Sequence, residues 1–525
     1  MRRLFVCTFA VVLIAGSDNV FGQFIQPLDQ PFQPETVPAV PTPADPGYIT
    51  PPIDPLAPGG LLDPDTPDWL LPGGAPPTAR DIALRQRELA LEQMSLLQPS
   101  VTVGGRIAVD AAAFSQSTDN LQEYGNIENG CGITRARIHV RGEAFHVIDY
   151  KLEMGFDNWA SVIDDFQTPG AQTQFLQRRV QSTAFKDAYV GINELPWLGH
   201  VKIGRFKEPF GLSKMTSSRF TTFMERSPVS VAFAPGRGLG IMASDWSDSE
   251  RFTWAAGVFR SVIDPDPPIR SGDNGGIAAT MRLTALPWYD EATEGRGLFH
   301  LGLGYSYRDP DDGAAGFSSP PESLLAFRAR DPGLGAIGIA GMELTHIVDT
   351  GSIGDVTNWQ LLGLETAWVY GPLSVQAEYM AASVRRAAGV AQPHTFNGGY
   401  IQMSYFLTGE HRPYHRTEGK FTRVVPFENF FRVRTEGGDV VTGKGAWELA
   451  YRFSAVDLDF YDVTEEDAVD RFKGGRSVNH TFGVNWYLNP YTRLMANCVL
   501  INATPKGDVD YSDLQVFQVR AQIDF

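Results

Sequence analysis

The chain has 525 residues, 43% hydrophobic and 11% aromatic, a formal net charge of −17 and a mean hydropathy of −0.16. Length admits several soluble domains or one large barrel, and hydropathy does not separate them, because only alternate residues of a transmembrane barrel meet lipid. The acidic balance, +1 over residues 1–22, −7 over 23–98 and −11 over 99–525, argues against nucleic acid as partner but says little about the local charge of a lumen.

Arg2 and Arg3 precede an apolar run, Leu4 to Ala15, that is too short to span a bilayer. With Val20-Phe21-Gly22 before Gln23, residues 1–22 read as a secretory signal. Ser17 stands where a lipoprotein box would need Cys, so no lipid anchor is expected. Residues 23–77 hold sixteen of the 36 prolines and are expected to be extended and flexible. A short helix is predicted over 78–98: Thr78 and Asp81 form a capping box, and Ile82, Leu89 and Leu96 recur every seven residues. It suits an oligomerisation or docking helix and equally a surface helix.

From Val101 onward the period becomes two. Arg135, Arg137, His139, Arg141 and Glu143 share one face of a strand, and Ala136, Ile138, Val140, Gly142 and Ala144 the other. Similar strands cover Ile148–Phe156, Trp447–Ser454 and Thr481–Leu488. From Phe517 to Phe525 every odd position is apolar and every even one polar, as expected of a final strand that closes a wall and ends at an aromatic interface girdle. Short turns (Asn193–Trp197, Asn489–Thr492) contrast with long polar or glycine-rich connections (Asp264–Gly276, Asp309–Ala336, Val456–Asn479). This asymmetry predicts an all-β, antiparallel transmembrane barrel over residues 99–525 rather than a soluble sandwich.

Enzyme signatures such as G-x-S-x-G, H-E-x-x-H, C-x-x-C and the Walker loop are missing, so neither catalysis nor a cofactor or metal is expected. His411 and His415 read as solvated loop residues. Cys131 and Cys498 are compatible with a disulfide, though nothing in their setting calls for one. What remains is a set of basic residues: Arg135, Arg137, Arg141 and Lys151 on early strands, Arg205 and Lys207 at the end of a strand starting near His200, and Lys214, Arg219, Arg226 and Arg237 in the segment that follows. That segment, Phe206 to Leu239, is too aromatic for a free surface loop. Folded inward, it would pack its phenylalanines on the wall and offer its charges to a passage. These ten residues are the expected pore-lining, anion-binding set, since guanidinium and ammonium groups between low-dielectric walls lower the barrier for anions. The opposing expectation is that Glu143, Glu153, Asp157, Glu208 and Glu225 neutralise them and leave a general pore.

Phe-Lys-Glu-Pro-Phe (206–210), Phe-Met-Glu-Arg-Ser (223–227), Phe-Ala-Pro-Gly-Arg (233–237), the run Tyr400–Tyr414, Gly445–Arg452 and Asn485–Pro490 together resemble the phosphate-selective porin family, porin O and P, from about Thr134 to Phe525. The resemblance implies a sixteen-stranded antiparallel barrel in the outer membrane, a homotrimer, an inward loop narrowing the lumen, and passive passage of small anions, phosphate or polyphosphate among them. The −11 of the barrel region departs from what an anion pore suggests. Two alternatives stand beside it: a non-selective diffusion pore, and a barrel that anchors residues 23–98 as an arm for peptidoglycan or a periplasmic partner.

Overall fold

The computed structural model describes residues 85, 99–124, 126–127, 129–166, 174–260, 276–309, 328–329, 347–350, 353, 356–386, 394–434, 440–461, 471–504 and 512–525. The expected signal, the Pro-rich segment and all of the expected helix except Arg85, which is helical, lie outside them.

Period-two alternation becomes one wall of sixteen strands in a closed barrel. They are β1 (Thr102–Gln116), β2 (Gly130–Ala144), β3 (Ile148–Phe166), β4 (Gln174–Leu195), β5 (Gly199–Lys207), β6 (Arg237–Trp246), β7 (Phe252–Arg260) and β8 (Ile277–Tyr289). After them come β9 (Gly297–Arg308), β10 (Val356–Tyr370), β11 (Leu373–Arg386), β12 (His394–Phe406), β13 (Ala446–Tyr461), β14 (Arg471–Tyr487), β15 (Thr492–Thr504) and β16 (Ser512–Asp524). Each pairs antiparallel with its neighbours in sequence, and β16 also pairs with β1, Asp524 lying opposite Arg106 and Leu514 opposite Gln116. Closure removes every free edge, as lipid requires.

The two faces differ as the alternation predicts. In β16, Phe517, Val519 and Ile523 are exposed while Gln518, Arg520, Gln522 and Asp524 are buried. The same outward apolar row recurs in Leu362 and Leu364, in Ile401 and Met403, and in Phe482. Trp197, Trp246, Trp288, Tyr370, Tyr405, Tyr491 and Phe525 are all exposed and all lie at one rim, the place of an interfacial aromatic girdle. At that rim the connections are tight. Between β10 and β11 only Gly371 and Pro372 intervene, with Gly371 at φ 57, where a residue without Cβ meets no steric cost.

Two expectations are corrected. Val456–Asn479 is mostly wall and not a long loop, since β13 runs to Tyr461 and β14 starts at Arg471. Val456 and Leu458, both buried, keep alternating with Asp457 and Asp459, but charges and glycines nearby obscure the pattern. The division into short turns at one rim and long connections at the other has an exception: β12 and β13 are joined at the short-turn rim by a long connection, of which residues 412–424 fold inward.

Candidate functional site: a charged constriction inside the barrel

Among the described residues two connections narrow the lumen, and Val348 and Ile353, between β9 and β10, pack into the core of the first. The first, residues 208–236, joins β5 to β6 and carries short helices at Leu212–Met215 and Pro228–Ala232. Its phenylalanines explain its course. Phe210, Val229 and Phe233 are buried against Trp359, Met380, Phe396 and Tyr400 on the inward rows of β10, β11 and β12. Gly304 and Gly363 make room for the Phe210 ring, because a Cβ on either would stand 3.0 or 2.9 Å from it. Burying such a ring is worth about 2–3 kcal/mol and fixes the segment to one side of the lumen.

Polar staples hold the rest. Arg308 Nη1 donates to Glu208 Oε2 at 2.8 Å, and the Ser213 N–H donates to Glu378 Oε1 at 2.8 Å. Arg452, Asn485 and Arg493 donate to the Glu225, Thr222 and Thr221 carbonyls at 3.0, 2.8 and 2.8 Å. Arg520 binds both oxygens of Asp110, reaches Glu225 Oε1 at 3.0 Å and donates to the Met224 carbonyl at 2.7 Å. Burial works to raise the Glu225 carboxyl, but Arg135 and Arg520 outweigh it and hold it at about 2.

The second segment, residues 412–424 of the connection from β12 to β13, enters the lumen from the aromatic rim. Tyr414 and Phe421 pack with Leu212, Leu286, Leu298 and Val369. The Tyr414 hydroxyl meets His300 Nδ1 at 2.7 Å, and Arg282 donates to the Gly419 carbonyl at 2.7 Å. The Arg412 guanidinium lies 3.8 Å over the Phe421 ring. Arg423 pairs with Asp524 of β16. His415 is exposed and His411 half-buried, both on this connection, and no metal cluster occurs among the described residues.

Between these segments and β2–β5 lies a basic patch. Lys151 bridges Glu153 at 2.7 Å and also pairs with Asp187. Arg137 reaches Glu153 at 3.6 Å and Arg237 reaches Asp187 at 2.6 Å. Lys420, on the second segment, is pushed down to about 8, first by burial and then by the Lys202, Lys151 and Arg282 charges around it. Arg219, on the first segment, is lowered by burial, with Asp524 and Glu153 supporting its charge and Arg423 and Arg141 opposing it. Seven cationic groups (Arg137, Arg141, Lys151, Lys202, Arg219, Arg237 and Lys420) thus meet four carboxylates, Asp149, Glu153 and Asp187 on the wall and Glu418, which pairs with Lys420.

The ten residues singled out from the sequence separate into groups. Arg137, Lys151, Arg219 and Arg237 belong to this patch, and Arg141 lies exposed on the same inward row. Arg135 is tied to Glu225 at 3.1 Å. Lys207 donates to the Lys214, Met215 and Thr216 carbonyls, and Arg226 to the Ser213 and Thr216 carbonyls, so both brace the first segment; Lys214 sits at the end of its first helix. Arg205 pairs with Leu239 in register but, unlike the exposed Ile203, Leu239 and Ile241, is buried. Lys202 of β5 was missed, and the parity of Val201 and Ile203 on either side of it was the available signal. Also missed were the buried wall arginines Arg106, Arg282, Arg308, Arg452, Arg493 and Arg520, and Lys420 and Arg412 on the second segment. Glu208 neutralises Arg308 instead of the patch. Cys131 and Cys498 are free thiols.

An antiparallel barrel with an apolar belt, an aromatic rim and a lumen narrowed by inward segments is an outer-membrane porin. The chain belongs to the phosphate-selective porin O and P family, whose model matches residues 101–525, and it is an outer-membrane anion channel. It is 27% identical over 417 residues to porin O of Pseudomonas aeruginosa, covering 76% of this chain and 82% of that one. It is 25% identical over 437 residues to an uncharacterized protein of Caulobacter vibrioides, covering 80% of this chain and 73% of that one. Among solved structures it is similar to an anion-selective porin from Comamonas acidovorans, at 12% identity and a TM-score of 0.45, covering 82% of this chain and all of that one.

Proposed function

We propose that the patch of Arg137, Arg141, Lys151, Lys202, Arg219, Arg237 and Lys420 is the selective step of the channel and that it takes phosphate in preference to chloride. The observation that carries this reading is the excess of these seven cations over the carboxylates Asp149, Glu153, Asp187 and Glu418 at the constriction. Guanidinium groups replace part of an oxyanion's hydration by paired hydrogen bonds, and low-dielectric walls strengthen each charge. Partial neutralisation keeps each site shallow, so that an ion that enters also leaves. The same neutralisation supports a second reading, a general diffusion pore, in which Glu153 and Asp187 cancel enough charge to erase preference.

Planar-bilayer recordings under a salt gradient, with phosphate added stepwise to chloride, separate the two. The proposal expects an anion-directed reversal potential and block of chloride current by phosphate. A cation-directed potential rejects it, and anion preference without block reduces it to chloride. We further propose, on the family resemblance, assembly as a homotrimer, with residues 23–98 as an arm toward peptidoglycan or a periplasmic partner. Deleting 23–98 should leave conductance and trimers intact while abolishing wall attachment.

A further inference from the structure

Beside the first inward segment lies a small cavity of about 10 Å³, whose lining includes Arg226, Arg412, Arg452, Thr216, Gln376 and one carboxylate, Glu225. That volume holds one particle of roughly the size of a water molecule. Its walls are rich in donors. Arg452 is 2% exposed, and only its Nη1 is used, toward the Glu225 carbonyl at 3.0 Å. Its Nε and Nη2, and the Thr216 hydroxyl, are buried and meet no acceptor among the described residues. Unmatched buried donors are costly, and doubly so on a cation.

Most acceptors close by are already engaged, Glu378 Oε2 and Glu448 Oε1 being buried without a partner among the described residues. Glu225 binds Arg135 and Arg520. Gln376 Oε1 accepts from Arg412 at 3.0 Å and from Gln402 at 3.2 Å. The Ser213 and Thr216 carbonyls accept from Arg226 at 2.9 and 2.8 Å. Glu448, the acid whose field acts on Arg412, is bound by Asn485 and Tyr487. Glu378 shares Oε1 among the Ser213 N–H, Tyr400 and Gln376. A water here would accept from Arg452 and Thr216 but would leave the charge of three arginines set against a single lining carboxylate, Glu225. A monatomic anion accepts from every donor and offsets the charge of three arginines. A phosphate is too large for the space.

We propose that this cavity is a structural halide site, occupied by chloride, that fixes the inward segment to β13 through Arg452 and Thr216. It differs from the permeation patch: its ligand does not pass, and its test reads stability and position, not current.

Crystals of the full chain grown in sodium bromide, with diffraction collected at the bromine edge, should show an anomalous peak between the Arg452 guanidinium and the Thr216 hydroxyl. In parallel, detergent-solubilised protein should gain roughly 2 °C in Tm per tenfold rise in chloride, at constant ionic strength kept with gluconate. Thr216→Val, which removes one donor without touching a charge, should weaken that dependence, and Arg452→Lys should abolish it. Water density without bromine signal overturns the proposal. So does a Tm indifferent to chloride, even with bromide present at the site. Because wild type alone supplies both primary readouts, a variant that fails to fold leaves the test decisive.

Discussion

The backbone of Phe525 closes on that of Gly105: the Gly105 N–H donates to the Phe525 carbonyl at 2.8 Å and the Phe525 N–H to the Gly105 carbonyl at 3.1 Å. The ring of Phe525 then lies over the glycine, where an added Cβ would stand 2.5 Å from Cζ and 2.9 Å from the Arg137 carbonyl. Gly105→Val should therefore loosen the seam by about 1–3 kcal/mol, the cost of overpacking. Heat-modified migration on gels should shift to a lower temperature than in wild type. An unchanged transition would show that the seam tolerates a side chain there.

Arg520 ties the wall to the inward segment through Asp110, Glu225 and the Met224 carbonyl, and it is 3% exposed. Arg520→Met leaves two buried carboxylates without their shared partner, at a cost of about 3–5 kcal/mol. Single-channel recordings should show larger, noisier openings as the segment around Glu225 detaches. Currents as quiet as wild type would assign the anchoring to the phenylalanines alone.

Glu225 gives the same contact a pH signature. Its folded-state carboxyl titrates at about 2 against an ordinary 4.5, because Arg135 and Arg520 outweigh the burial penalty. A depressed acid contributes stability that is complete above the ordinary value and is lost as pH falls through the folded one. Conductance should stay flat from pH 7 to about 5 and rise as pH approaches 2, with Glu225→Gln already altered at pH 7. A rise centred near pH 6 would point to a histidine instead.

Much of this architecture was legible in the chain. Alternation from Thr134 to Ala144 and from Phe517 to Phe525 marked inward and outward rows that the barrel reproduces, and the phenylalanines of 206–239 marked an inward segment because such rings have no place in water. The site was less legible. Lys202 stood between apolar Val201 and Ile203 and was passed over. The arginines of β13, β15 and β16 show as single polar positions in alternating strands, and nothing local reveals that a segment more than two hundred residues earlier supplies their acceptors. Residues 412–424 hid for a similar reason: a turn that folds inward differs from a solvated loop only in what receives Tyr414 and Phe421.

Lys420 should make selectivity depend on pH. Burial and the charges of Lys202, Lys151 and Arg282 lower it to about 8, so it is cationic below that value and neutral above it. Anion-over-cation permeability should fall roughly two- to fivefold as pH rises from 7 to 9, the effect of losing about 0.5–1 kcal/mol of attraction at a partly solvated site. Lys420→Met should show the lower ratio at both pH values. A wild-type ratio constant from pH 7 to 9 would remove Lys420 from the selective step.

Lys202 and Arg205 put the register itself to the test. They are three positions apart in one strand and both basic, and the register sets them at opposite parities, Lys202 opposite Met242 and Arg205 opposite Leu239. If charge acts on the permeating ion through the lumen, Lys202→Gln should lower anion preference roughly twofold or more, while Arg205→Gln should leave it unchanged and register only in stability. The two substitutions remove the same formal charge, so a general effect of net charge predicts equal losses. Reversal potentials of the two variants, measured in the same salt gradient, therefore distinguish a local constriction from a diffuse field. A larger loss in Arg205→Gln would mean that β5 runs with the opposite face to the lumen.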